Sequence, residues 1–246
     1  MKKILLLMAI ACASISGMAQ VVIPRQEIPY NVNYKWGLID VMIARGNVVI
    51  ESDGSQFYGT LDGTSIPWEG RIICVSDTLS ARMNIQGGLS EQVIYQNGWY
   101  RRPYVSSFRS STYNPDDPAF YKSIAGQGRY DASHDSMEAI TVTADMIGMY
   151  YFAHVLDFPA MRPGDVVRIP IQGPYSNEVV ITYNGQGVYS TGSDNYPTYD
   201  VTFEYAYGGS MSGYPVQCRI GASSRIPMFI SASLPVGRVE MLYDPD

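Results

Sequence analysis

The sequence predicts a mainly β protein: a single antiparallel meander β-barrel, closed or nearly closed, with one short helix near residues 143–156. Three observations predict this class. Bulky and polar residues alternate in several segments, Asn-Gly pairs and prolines separate those segments, and one stretch has helical spacing. The composition agrees, since the 246 residues include 20 tyrosines, 23 glycines and 15 prolines, which favour strands and tight turns.

Residues 1–19 have the layout of a secretory signal peptide. Two lysines precede a short apolar core, and small residues end with Ala19. We therefore expect export, with a mature chain that begins at Gln20. The apolar core is too short to span a bilayer and no later segment is long enough either, so no transmembrane segment is expected in the mature chain. Acylation at Cys12, as in a lipoprotein, is the less favoured alternative. The expected location is the periplasm, or association with the outer membrane.

Period-two alternation predicts strands with one buried face. The clearest examples begin at Tyr30, at Tyr199 and at Ile226. Asn97-Gly98 and Asn184-Gly185 predict type I′ hairpin turns, in which both central residues need a positive φ. Residues 234–238 predict a further hairpin connection.

One segment departs from the β pattern. Thr143 is a candidate N-cap, and apolar residues recur at helical spacing up to Leu156, before Pro159 and the turn at residues 162–165. No repeat or linker divides the rest of the chain, so residues 20–246 are expected to form one β-barrel domain.

Charge and residue counts exclude several functions. The chain carries 17 basic and 23 acidic residues, a net charge of −6. Removal of residues 1–19 takes away Lys2 and Lys3 and no acidic residue, so the net charge becomes −8. Such a surface repels phosphate backbones, and nucleic-acid binding is not expected. Only 2 histidines and 3 cysteines are present, so no metal or cofactor is predicted.

Two cysteines remain in the mature chain, Cys74 and Cys218. In an oxidising compartment they could form a disulfide, which would close a long loop. Two separate buried thiols are the equal alternative. The choice depends on whether their strands are neighbours.

The order of several motifs resembles the exported bacterial family known as domain of unknown function 3108. The motifs are Tyr34-Lys35-Trp36-Gly37, then Tyr100-Arg101, then residues 145–170, and finally residues 221–243. The resemblance implies a large meander β-barrel of the YmcC-like type, exported to the cell envelope. It implies no catalytic residues.

Aromatic residues on strands are the main candidates for a binding site. They fill the core, or they line a cavity for a sugar face or an acyl chain. The candidate ligand-binding residues are Tyr34, Trp36, Trp99, Tyr100, Arg101, Tyr150 and Tyr205.

Two classes of function are consistent with these patterns. The favoured one is a non-enzymatic envelope protein that binds an amphiphilic or glycan ligand, or a protein partner. The alternative is a glycan hydrolase that uses paired carboxylates, with Asp40, Glu69, Glu138 and Glu204 as candidates. An assembly role in surface-polysaccharide export is a third hypothesis, for which no residue is singled out.

Overall fold

The computed structural model describes only part of the chain. The described residues are 20–66, 73–85, 88–100, 105–113, 120–126, 133–138, 146–171, 178–192, 194–207 and 210–245. For 73–75, 88–100, 105–113, 120–126, 133–138 and Tyr207 the description covers the backbone alone. The predicted signal peptide, Arg101, Glu69 and Thr143 lie outside the described residues.

The first half of the described chain is a run of antiparallel strands. They are β1 (Val22–Trp36), β2 (Ile39–Asp53), β3 (Gln56–Ser65), β4 (Ile73–Asn84), β5 (Gly88–Tyr100), β6 (Val105–Tyr113), β7 (Phe120–Gly126) and β8 (Ser133–Glu138).

A short helical segment separates this run from a second run of strands. The segment comprises α1 (Met149–Val155) and a 3-10 helix (Phe158–Ala160). The later strands are β9 (Val166–Pro170), β10 (Glu178–Thr191), β11 (Asp194–Tyr207), β12 (Ser210–Met211), β13 (Val216–Gly221), β14 (Pro227–Ser233) and β15 (Arg238–Tyr243).

All strands belong to one antiparallel sheet. Its order is β8-β7-β6-β5-β4-β3-β2-β1-β15-β14-β13-β11-β10-β9, and β12 pairs with β11. The predicted fold class, mainly β with one short helix, is therefore confirmed. Closure is not: within the described strands, β8 and β9 each pair on one side only, so the sheet is open along this seam. Strand alternation signals a buried face and carries no information about which edges meet.

The helical segment fills the concave side of the sheet. Tyr151 packs against Phe57 of β3, with ring centroids 5.7 Å apart. Phe158 stacks on Tyr199 of β11 at 5.0 Å. Five strands separate β3 from β11 in the sheet order, so one short segment can contact both only because the sheet curls around it.

The period-two alternation of the strands places apolar residues on the face of the sheet that packs against the helical segment. Ile28 and Tyr30 of β1, and Tyr199 and Val201 of β11, are all buried. Each large apolar side chain removed from water contributes about 1.5–3 kcal/mol to folding. Most of the core therefore comes from the period-two pattern that the sequence shows.

The helix is shorter than predicted. α1 starts at Met149 after a turn at residues 146–148, and its N-cap, Gly148, makes no side-chain capping hydrogen bond. At the other end Leu156 is already extended, and Pro159 lies in the first turn of the 3-10 helix. A proline lacks an N–H and fits this position well, so the backbone changes helix type here.

Both Asn-Gly predictions are wrong. Asn97-Gly98 lies inside β5 and pairs with β4 and β6. Asn184-Gly185 lies inside β10 at a register shift against β11, and Gly185 has φ +122°. A bulge uses the same freedom of glycine as a hairpin turn, so the dipeptide alone does not distinguish them.

The predicted closing hairpin is confirmed. Residues 234–237 connect β14 to β15, and the Leu234 N–H donates to the Gly237 carbonyl at 3.0 Å. The predicted turn before β9 is also present, with Gly164 at φ +96°.

Candidate functional site

Two hairpins meet at one end of the sheet. β1 pairs with β15, so Lys35 lies opposite Arg238, and the β1–β2 tip lies beside the β14–β15 tip. The Tyr34 hydroxyl donates to the Val236 carbonyl at 3.1 Å. A Cβ on Gly237, whose φ is +75°, would lie 2.4 Å from the Lys35 carbonyl oxygen. Glycine is therefore required for the two tips to approach this closely.

The two tips expose a set of large apolar side chains, which we call the apolar rim. Trp36 is 56% exposed, and Leu38 is fully exposed. The rim consists of Trp36, Leu38 and Ile39 on the first tip and Leu234 and Val236 on the second. Single exposed apolar residues are common, but a cluster on adjacent tips is typical of an interaction site.

Four charged side chains, the ionic cluster, lie on the strands next to the two tips. Lys35 Nζ lies 2.9 Å from Glu240 Oε2 and 3.2 Å from Asp40 Oδ2. Arg238 Nε lies 2.7 Å from Glu240 Oε1. Glu240 is nearly buried, with 6% of its side chain exposed, whereas Asp40 and Arg238 are about half exposed. Hydrogen bonds to Glu240, and then to Asp40, raise the pKa of Lys35 above its ordinary value.

Part of the rim and part of the ionic cluster line an open cleft of 410 Å³, the hairpin cleft. Its lining comprises Lys35, Trp36, Gly37, Leu38, Ile39, Asp40, Ser233, Gly237 and Arg238. A site that places apolar surface beside paired charges suits a ligand with both an apolar and a polar part.

The structure distributes the predicted ligand-binding residues unevenly. Trp36 lines the cleft and Tyr34 braces it through the bond to the second tip. By backbone position, Trp99 and Tyr100 end β5 at the same end of the sheet. Tyr205 is half-buried near the end of β11, against Phe203. The side chains of Trp99 and Tyr100 lie outside the described part of the chain, and Tyr205 does not line the cleft.

Tyr150 is in the core. Its hydroxyl lies 3.5 Å from that of Tyr30, which donates to the Pro227 carbonyl at 2.6 Å. Burial raises the pKa of both tyrosines well above the ordinary value. Among the described aromatic residues, Tyr30, Tyr150, Tyr151 and Tyr199 therefore follow the core interpretation.

Of the candidate acids for a hydrolase, the structure describes the side chains of Asp40 and Glu204, and these two have different surroundings. Asp40 borders the cleft, whereas Glu204 accepts a hydrogen bond from the Ser212 hydroxyl near the β12 segment. The Glu138 side chain and all of Glu69 lie outside the described residues. The acid nearest to Asp40 through Lys35 is Glu240, and each of its oxygens contacts a cation.

Cys218 is a free, buried thiol, and burial raises its pKa. The Cys74 side chain lies outside the described part of the chain. β4 and β13 are not hydrogen-bonded neighbours, since five strands separate them. The predicted disulfide stays a prediction.

Sequence reasoning missed most of the cleft. It did not select Leu38, Ile39 or Arg238 of the lining as binding residues, nor Leu234, Val236 and Glu240 beside the cleft. A signal was present: residues 36–39 and 234–237 place apolar side chains at a glycine turn, where polar residues are usual.

Within the described residues, no group of three His, Cys, Asp or Glu side chains is arranged to hold a metal ion. None of the helices described is long and apolar enough to cross a membrane.

The architecture defines a β-barrel-like domain. It is similar to the solved structure of a β-barrel-like protein of domain of unknown function 1849 from Brucella abortus, with a TM-score of 0.56 and 9% identity, over 92% of this chain and 100% of that chain. At this identity the likeness shows the fold alone. No family model matches the chain, and no curated protein matches it.

Proposed function

We propose that this protein is a non-enzymatic, exported protein of the cell envelope whose hairpin cleft binds an amphiphilic ligand. One observation carries the proposal: exposed apolar residues of the rim and charged residues of the ionic cluster line the same cleft. An acyl or aromatic part would contact the rim, and a charged head would contact Asp40 and Arg238. Apolar contact supplies most of the affinity, and the polar groups orient the ligand.

A glycan and a protein partner are the other expected ligands. Trp36 would suit a sugar face, but the remaining rim side chains, Leu38, Ile39, Leu234 and Val236, are aliphatic. Aliphatic surface offers a sugar no ring to stack on, and it favours an acyl chain. The amphiphile is therefore the preferred ligand class.

The hydrolase hypothesis receives less support. A carboxylate pair for glycan hydrolysis needs one acid that can donate a proton and one that faces the substrate. Both oxygens of Glu240 contact cations, so the second acid at this cleft has none to spare for a substrate.

Export belongs to the same proposal. It rests on the layout of residues 1–19, with periplasmic or outer-membrane-associated location and the Cys12 lipoprotein as the less favoured variant. Kinship with domain of unknown function 3108 rests on the order of the motifs at residues 34–37, 100–101, 145–170 and 221–243.

A fluorescence titration tests the ligand class. A short-chain zwitterionic amphiphile, added below its micelle concentration, should blue-shift the tryptophan emission as Trp36 leaves water. Trp36→Phe should abolish the shift, whereas Val22→Ser, an exposed position at the opposite end of β1, should retain it. No shift, or an equal shift in Trp36→Phe, would contradict the proposal. Soluble oligosaccharides in place of the amphiphile test the glycan alternative.

A further inference from the structure

We propose that the hairpin cleft and its apolar rim dock on a zwitterionic lipid surface, with Arg238 at the phosphate and Asp40 at the ammonium of a headgroup. This inference rests on the proposed function and deepens it. It names the amphiphile as a phospholipid held in a membrane.

The rim has the composition of a membrane-inserting surface. Neither tip carries a charge: the first reads Trp36-Gly37-Leu38-Ile39 and the second reads Leu234-Pro235-Val236-Gly237. The register of β1 against β15 places the two tips side by side. Exposed aliphatic side chains next to a tryptophan match the boundary between headgroups and acyl chains.

Two members of the ionic cluster, Arg238 and Asp40, match the two charges of a zwitterionic headgroup. Arg238 uses Nε for Glu240 and is 53% exposed. Among the described residues its terminal guanidinium nitrogens have no partner, so they can meet phosphate oxygens. Asp40 is 54% exposed. Its Oδ2 lies 3.2 Å from Lys35 Nζ and its Oδ1 accepts from the Asn33 amide at 3.3 Å, so the ammonium of a headgroup would share this carboxylate with Lys35.

The formal charge of the ionic cluster and the net charge of the chain indicate which type of bilayer the surface can bind. The ionic cluster contains Lys35 and Arg238 against Asp40 and Glu240, so its formal charge is zero. The whole chain has a net charge of −6. An anionic bilayer attracts basic patches and repels an acidic protein. The surface therefore fits a zwitterionic bilayer and does not fit an anionic one.

Vesicle flotation of the expected mature chain, residues 20–246, tests this inference, because the apolar segment at residues 4–11 would itself partition into a bilayer. We expect flotation with phosphatidylcholine and phosphatidylethanolamine vesicles, and weaker flotation with vesicles enriched in phosphatidylglycerol. Trp36→Ser with Leu38→Ser should weaken partitioning roughly tenfold or more, since two apolar side chains no longer leave water. Arg238→Gln should weaken it several-fold. The control, Val22→Ser with Val188→Ser, changes exposed apolar residues elsewhere and should bind like the wild type.

Three outcomes overturn the inference: no flotation, an equal loss in the control variant, or a preference for anionic vesicles. Binding of soluble phosphoethanolamine without flotation also overturns it, because the headgroup is then recognised outside a membrane. If flotation fails while the monomeric amphiphile still shifts the Trp36 emission, only the membrane inference fails. If both assays fail, the proposed function fails as well.

Discussion

His154 shows how one half-buried side chain can make stability depend on pH. Its Nδ1 lies 2.9 Å from the Tyr150 carbonyl, to which it donates, and its Nε2 is buried without a partner among the described residues. Burial lowers the pKa of His154, and Arg225 adds to the effect, whereas the bond to Tyr150 opposes it. The neutral form of the imidazole is therefore more strongly favoured in the folded state than in the unfolded chain.

The sign of the pH effect follows from this direction. Below the ordinary histidine pKa of about 6.5 the unfolded chain binds the proton more readily, so the free energy of unfolding falls as the pH drops. We expect urea unfolding of the wild type to lose stability between neutral pH and pH 5. His154→Gln should lose less over the same interval. An identical pH dependence in the variant would contradict this role.

Gly59 is required by a contact and not by its backbone angles. A Cβ at this position in β3 would lie 2.2 Å from Ile147 Cγ2 and 3.3 Å from the Phe57 ring. We expect Gly59→Ala to destabilise the fold by about 1–3 kcal/mol, because a well-packed core resists added volume. Gly63→Ala is the matched control on the same strand, where the Cβ would be 4.0 Å from its nearest neighbour. Chemical denaturation of both variants measures the difference, and equal stabilities would refute the packing argument.

Arg225 joins the helical segment to the sheet. It follows the β13–β14 turn with φ 60°, and its Nη1 donates to the Leu156 carbonyl at 3.2 Å. Its guanidinium also lies 5.5 Å from the Phe158 ring and 5.1 Å from the Tyr199 ring. The residue thus satisfies a carbonyl at the end of α1 and holds the helical segment against the sheet.

Arg225→Ala should loosen this attachment. The lost hydrogen bond and cation–π contacts predict a destabilisation of about 1–3 kcal/mol, with faster hydrogen exchange in α1. Arg219→Ala is the control: Arg219 also lies over a ring, Phe229 at 5.5 Å, and its ion pair with Asp200 is half exposed. We expect that variant to cost less than about 1 kcal/mol. Unchanged exchange in α1 of Arg225→Ala would contradict the anchoring role.

The sequence predicted the type of the elements better than their limits. Alternation at Tyr30 and at Tyr199 identified strands, because burial of one face imposes the period directly. Asn184-Gly185 misled because its positive φ is used in a bulge, where the Pro163 ring lies 3.6 Å from the Gly185 Cβ position. Pro163 belongs to the turn before β9, which is distant from Gly185 in the sequence. Local chemistry alone cannot anticipate it.

The candidate site was predictable only in part, for a related reason. Trp36 was selected as an aromatic residue, and it lines the cleft. Arg238 and Glu240 were not selected, because they reach Lys35 only through the pairing of β1 with β15. The first described strand and the last one are neighbours in the sheet, and a pattern read along the chain does not show such a closure.

At the scale of the whole molecule, the hydrophobic core and the proposed binding site lie in different places. Its concave side is filled by the helical segment, as the contacts of Tyr151 and Phe158 show. The hairpin cleft lies at one end of the sheet, where most of the described large apolar side chains that remain exposed are found. Ligand binding is therefore expected at the strand tips, and the interior is core.

Hydrogen–deuterium exchange with and without a monomeric zwitterionic amphiphile tests this central claim most directly. We predict slower exchange confined to the two hairpins, residues 35–40 and 233–238, with α1 and the core strands unchanged. Protection of α1 and the strands that pack on it, with the hairpins unaffected, would contradict this claim and place the ligand on the concave side of the sheet.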